Sequence, residues 1–113
     1  MHSIGIDIGS TSAKVAIMEA SSGEIKELFL LPTGWSSADT AMLIKERVLA
    51  LGLGELCFVA TGYGRVSVPY ADKTLTEITC HALGAHYFCK SDCTVIDVGG
   101  QDTKAIKLEN GAV

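Results

Sequence analysis

One pattern occurs twice in this chain, and it constrains the fold more than any other feature. Residues 96–106 read Ile-Asp-Val-Gly-Gly-Gln-Asp-Thr-Lys-Ala-Ile. Set beneath Ile6 to Ala16, they match at Ile6/Ile96, Asp7/Asp97, Gly9/Gly99 and Lys14/Lys104, with Ile8/Val98 a close substitution. The first copy lies within Gly5-Ile-Asp-Ile-Gly-Ser-Thr-Ser-Ala-Lys14 and runs on into Val15-Ala16-Ile17. It reads as strand, tight turn, strand. Gly9 lets a backbone come close to a ligand, and the amides and hydroxyls of Ser10, Thr11 and Ser12 can donate to phosphate oxygens. Asp7 ends an apolar strand, where a carboxylate costs free energy unless something pairs with it. A hydrated Mg²⁺ carried in by a nucleotide is such a partner. The dinucleotide pattern G-x-G-x-x-G and the P-loop pattern G-x-x-x-x-G-K-[ST] are both absent. A single Gly-Ser tip is also what plain turn geometry calls for. Two facing hairpins that clamp one polyphosphate account for the repetition better than two unrelated turns.

The rest of the chain narrows the setting. A length of 113 residues allows one small domain and no second complete one. With 48% apolar residues the chain can fill a core, which excludes a disordered segment. A formal charge of −4 argues against a nucleic-acid or anionic-membrane surface. Apolar runs such as 28–32 fall far short of the roughly 20 residues that span a bilayer. The chain enters its first strand at about Ser3 with no signal peptide ahead of it, so the expectation is a soluble cytoplasmic protein. Cys57, Cys80, Cys89 and Cys93 have no C-x-x-C spacing. They are expected as reduced, small buried thiols. Cys80 and His81 are neighbours on one predicted helix and point about 100° apart, which suits no single ion.

Taken in order, strands are predicted over 3–8, 13–19 and 25–31, the last stopped by Pro32. A loop with N-cap candidates Ser36, Ser37 and Asp39 precedes a helix to about Leu51. Ala41, Ile44, Val48 and Leu51 share one face of it, and Gly52 can close it. The apolar run 56–60 has the character of a buried parallel strand. It delivers Thr61-Gly-Tyr-Gly-Arg65 to the strand's carboxyl end, where open α/β sheets place their ligands. After an irregular stretch around Pro69, Thr74-Leu-Thr-Glu77 has the form of a capping box, and a helix runs to about Phe88. Strands over 93–98 and 103–108 flank the turn at Gly99-Gly100. Asn110-Gly111 then signals a further turn with two residues behind it, as if the chain stopped in mid-fold. An antiparallel trio feeding a helix-linked parallel pair is a mixed α/β sheet of the ribonuclease-H-like kind.

Four motifs together resemble one family. Gly5-Ile-Asp-Ile-Gly-Ser-Thr11, Ala60-Thr-Gly-Tyr-Gly-Arg65, Thr76-Glu-Ile-Thr-Cys-His-Ala82 and Ile96-Asp-Val-Gly-Gly-Gln-Asp102 are similar to the BadF/BadG/BcrA/BcrD ATPases, the activators of 2-hydroxyacyl-CoA dehydratases. The likeness implies an actin-, hexokinase- and Hsp70-like ATPase fold. It implies ATP and Mg²⁺ in a cleft between two domains and a homodimer holding one [4Fe-4S] cluster. ATP hydrolysis would drive one electron into a 2-hydroxyacyl-CoA dehydratase or a benzoyl-CoA reductase-type enzyme. By this resemblance residues 1–90 form the first ATPase domain and residues 91–113 the opening hairpin of an incomplete second one. The family's adenosine-binding glycines and cluster cysteines would lie beyond these residues, so the 113 residues alone are expected to be inactive.

The same resemblance assigns roles. Gly9, Ser10, Thr11 and Lys14 would meet phosphate from one side, and Gly99, Gly100 and Gln101 from the other. Asp7 and Asp97 would hold the hydrated Mg²⁺ or orient water, and Glu77 would stand near the attacking water. Each has a plainer reading: a turn aspartate bonding nearby amides, a solvent-facing strand lysine at Lys14 or Lys104, a capping glutamate at Glu77. Arg65 suits a phosphate, a partner's acidic surface or plain solvent, and Tyr63 suits a ligand or the sheet edge. A sugar-kinase-like phosphotransferase of the same superfamily is the alternative enzyme, although no sugar-binding signature stands between Gly62 and Leu75. A non-catalytic interaction domain is the third reading.

Overall fold

In the computed structural model the described residues are 1–90, 92–98 and 103–109. They fall into two compact units, Met1–Thr74 and Leu75–Val113.

The first unit is built on β1 (His2–Ile8), β2 (Ser12–Glu19), β3 (Ile25–Pro32), α1 (Ser37–Leu49), β4 (Leu56–Thr61) and a short β5 (Lys73–Thr74). They form one five-stranded sheet in the order β3-β2-β1-β4-β5. β1 runs antiparallel to β2 and parallel to β4, so it is central with both edges satisfied. Strand alternation sorts its side chains. Ile4, Ile6 and Ile8 are buried together with Ala13, Val15 and Ile17 of β2, Phe58 and Ala60 of β4, and Ala41, Ile44 and Val48 of α1. Burying an isoleucine of this kind stabilises the fold by roughly 2–3 kcal/mol. The alternate residues, Asp7 among them, occupy the opposite face.

α1 begins where the serine-rich loop predicts. The Ser36 hydroxyl accepts from the Asp39 N–H at 3.3 Å, satisfying one of the unpaired donors of the first turn. The helix ends at Leu49, earlier than the apolar spacing suggests, and Gly52 then takes a left-handed conformation with φ +64°. Leu51 consequently lies past the helix and is exposed, while the other three predicted face residues are buried. On β3, Phe29 and Leu31 pack on the core, and Leu28 and Leu30 point outward and are exposed.

Beyond β4, a 3₁₀ turn (Arg65–Ser67) leads to Tyr70, whose hydroxyl donates to the Ala41 carbonyl at 2.5 Å. Its ring meets Phe58 edge-on, and burial pushes its hydroxyl from 10.0 up to about 12. The Asp72 carboxylate accepts from the Phe58 N–H at 2.8 Å, which ties this crossing segment to β4 before β5 pairs with it.

In the second unit α2 (Glu77–Cys89) packs against the antiparallel pair β6 (Cys93–Val98) and β7 (Thr103–Leu108). The capping box expected from Thr74 to Glu77 does not form. Thr74 is drawn into β5 opposite Ala60, and Thr76 caps the helix instead by accepting from the Thr79 N–H at 3.4 Å. Glu77 is therefore the first helical residue rather than the third. No helix among the described residues is long and apolar enough to cross a membrane.

Candidate functional site

The β1–β2 turn is the centre of the site. Its register sets Asp7 directly opposite Lys14 and Ile8 opposite Ala13, and residues 9–11 connect the two strands. The Gly9 N–H donates to the Ser12 carbonyl at 3.0 Å and closes the turn. Lys14 Nζ lies 4.0 Å from Asp7 Oδ2, with the lysine side chain half exposed and the carboxylate about a quarter exposed. A Cβ on Gly9 would come within 3.0 Å of Lys14 Nζ and of the Ser12 carbonyl. Glycine here thus gives the ammonium room to lie over the turn. Ser10 and Thr11 at the tip are exposed.

Two further segments hold this turn. The Thr33 hydroxyl donates to the Gly9 carbonyl at 2.9 Å, and the Thr33 N–H to the Thr11 carbonyl at 3.1 Å. Nothing in the sequence marks Thr33 except its place just after the strand-ending Pro32. From the other side comes the loop after β4, where Thr61 stands opposite Asp7 in the parallel register. Gly62 has φ +91°, and a Cβ there would overlap Asp7 Oδ1 and lie 2.6 Å from the Ile8 carbonyl. The Gly64 N–H donates to that same Ile8 carbonyl at 2.9 Å. A Cβ on Gly64 would sit 2.6 Å from Ile8 Cγ2 and 2.9 Å from Ser37 Oγ. Arg65 Nη1 donates to the Gly62 carbonyl at 2.9 Å, so this arginine is engaged within its own loop. Tyr63 stands clear of the sheet and is exposed.

Of the residues singled out in the sequence, Asp7, Gly9, Ser10, Thr11 and Lys14 are gathered at this turn. Glu77 and Asp97 belong to the second unit, with Glu77 partly buried at the start of α2. The backbone register of β6–β7 repeats that of β1–β2: Asp97 is opposite Lys104, and Val98 opposite Thr103. Gly99, Gly100, Gln101 and the Asn110-Gly111 turn lie outside the described residues, as do the side chains of Asp97, Lys104 and Cys93. The expectation of buried thiols holds only in part. Cys57 and Cys80 are partly buried, but Cys89, at the last position of α2, is exposed. No group of three or more potential metal ligands occurs among the described residues.

A five-stranded mixed sheet with an aspartate and a Gly-Ser-Thr turn at the end of its central strand defines an ATPase fold of the actin and hexokinase kind. The model of the BadF/BadG/BcrA/BcrD ATPase family matches residues 4–113. The chain belongs to that family. It is 38% identical over 112 residues to the activator of lactoyl-CoA dehydratase from Anaerotignum propionicum, covering 97% of this chain and 43% of that protein. Among solved structures, (R)-2-hydroxyglutaryl-CoA dehydratase component A of Acidaminococcus fermentans superposes with a TM-score of 0.85 at 38% identity, covering 99% of this chain and 44% of the other. The activator of 2-hydroxyisocaproyl-CoA dehydratase from Clostridium difficile, with bound ADPNP, gives 0.85 at 33% identity, covering 100% and 43%. The chain thus spans less than half the length of these relatives.

Proposed function

We propose that this chain is the ATP-binding part of an ATPase that couples ATP hydrolysis to one-electron transfer into a 2-hydroxyacyl-CoA dehydratase or a related benzoyl-CoA reductase-type enzyme. The observation that carries this reading is the shared register of the two hairpins, each with aspartate opposite lysine. Relatives at 33–38% identity are named for dehydratase activation, and one holds an ATP analogue. They favour this reading over a sugar kinase.

In this reading Ser10 and Thr11 donate to phosphate oxygens, and Lys14 exchanges part of its attraction to Asp7 for the phosphate charge. Gly99, Gly100 and Gln101 do the same from the second hairpin. The partly exposed Asp7 carboxylate suits a Mg²⁺ that keeps most of its waters and arrives with the nucleotide. Such an ion neutralises charge that builds on the phosphates during transfer. Asp7 and Asp97 would hold its waters or orient the attacking one, and Glu77 would stand near that water. A [4Fe-4S] cluster takes four thiolates, and a homodimer would divide them between its two chains. If a homodimer carries one, its ligands lie outside these residues. Residues 1–90 then form the first ATPase domain and 91–113 open the second, and the cytoplasm is the compartment. The 113 residues alone are inactive.

The test is made on a protein that carries this segment together with the length its relatives have beyond it. ATP hydrolysis without a sugar acceptor, with the visible absorbance of an iron–sulfur cluster, is the expected result. Phosphoryl transfer to a sugar by a colourless protein overturns the proposal.

A further inference from the structure

In the loop after β4, the backbone at Gly62 comes closer to the Asp7 carboxylate than any side chain at that position would permit. Gly62 is buried, has φ +91°, and a Cβ on it would overlap Asp7 Oδ1. Three contacts fix it there. Thr61 is registered opposite Asp7, the Gly64 N–H holds the Ile8 carbonyl at 2.9 Å, and Arg65 Nη1 holds the Gly62 carbonyl at 2.9 Å. Gly64 is wedged in turn between Ile8 and Ser37, so the loop is seated on both β1 and the start of α1.

We infer that Gly62 is a positioning residue for Asp7, a backbone wall that confines its carboxylate to one orientation above the β1–β2 turn. Arg65 is the buckle that keeps the wall in place. The inference rests on the proposed role of Asp7 toward a nucleotide-bound Mg²⁺. A carboxylate that reaches such an ion through water gains from having its rotamer set in advance, because side-chain freedom lost on binding opposes affinity. A wall made of glycine does this in the least space. It leaves the outward side of the carboxylate toward Lys14 and solvent. It also accounts for two glycines in the Thr-Gly-Tyr-Gly-Arg stretch without assigning either to a phosphate.

The experiment compares Gly62→Ala, Arg65→Gln and Asp7→Asn with the unmodified sequence, all in the longer protein that carries this segment. One readout is the Asp7 χ1 rotamer distribution from NMR side-chain couplings. The other is the ratio of ATP affinities with and without Mg²⁺. In Gly62→Ala the single Asp7 rotamer should be displaced, and the Mg²⁺-dependent gain in ATP affinity should fall roughly tenfold, as for other residues that orient a metal's partner. Affinity without Mg²⁺ should fall less, because the added Cβ presses on the Asp7 carboxylate and the Ile8 carbonyl and not on Ser10 or Thr11. Arg65→Gln adds no atoms at Gly62 and should broaden the same rotamer distribution, so it decides the matter if Gly62→Ala fails to fold. An unchanged Asp7 rotamer in a folded Gly62→Ala, or in Arg65→Gln, overturns the inference. Should Asp7→Asn keep the full Mg²⁺ dependence, the role of Asp7 itself fails, whatever the Gly62 variants do.

Discussion

The β1–β2 and β6–β7 hairpins share a sequence pattern and a register, yet they stand in different surroundings. β1 is hydrogen-bonded on both edges, whereas β6 and β7 pair only with each other among the described residues. The contrast is clearest at one repeat position. Ile6 is fully buried against α1, and its counterpart Ile96 is 70% exposed. A local pattern therefore specifies the pairing, while neighbouring elements decide how much each apolar side chain contributes.

Truncation at the two equivalent isoleucines tests that statement most severely. Ile6→Ala should destabilise the first unit by about 2–5 kcal/mol, the usual cost of emptying a packed core site. Ile96→Ala should stay within about 0.5 kcal/mol, as exposed positions do. Urea denaturation of the two variants makes the comparison, and equal losses would break it.

At the sites themselves the comparison runs the other way. If both hairpins work on one polyphosphate, Asp7→Asn and Asp97→Asn should each cut ATP turnover by roughly 10²-fold in the longer protein, despite their unequal settings. Steady-state hydrolysis rates decide it, and wild-type turnover in both variants would end the two-hairpin reading.

A smaller effect is expected at Thr33, which braces the first turn. Thr33→Val removes the hydroxyl bond to Gly9 and should cost about 1 kcal/mol by denaturation. It should also speed amide exchange at the tip.

The mildest effect follows from Tyr70. Its hydroxyl titrates near 12 in the fold, above the ordinary 10.0, because burial disfavours the phenolate. The folded state thus holds the proton more tightly. The stability this gives is complete below pH 10 and is lost as the pH rises from there through about 12. Tyr70→Phe should abolish that alkaline slope in pH-dependent melting, and a slope that persists would assign it elsewhere.

Much of the fold was legible because its signals are local. Alternating isoleucines and the Gly-Ser-Thr turn mark β1–β2, and Ser36 caps the helix as its residue type suggests. The limits of β6 and β7 coincide with the runs 93–98 and 103–108 read from the sequence. The errors came from competition between elements. Thr74 is a fair N-cap by type, but the edge of β4 takes it as a strand partner. Leu51 continues an apolar spacing that the chain abandons two residues earlier. At the site, aspartate, lysine and glycine could be read from their repetition. The grip of Thr33 and the pressure of Gly62 on Asp7 depend on segments far apart in the chain, which no spacing encodes.

The Thr33 contacts also sort the electrical character of the turn. A tight loop exposes both ends of its peptide dipoles, so its field is ordinarily mixed. Here the Gly9 and Thr11 oxygens, two negative ends, are both turned inward onto a single threonine. Ser10 and Thr11 remain exposed at the tip. Two carbonyl oxygens that would repel an anion at the tip are thereby occupied, beside the ammonium that Lys14 brings to the turn.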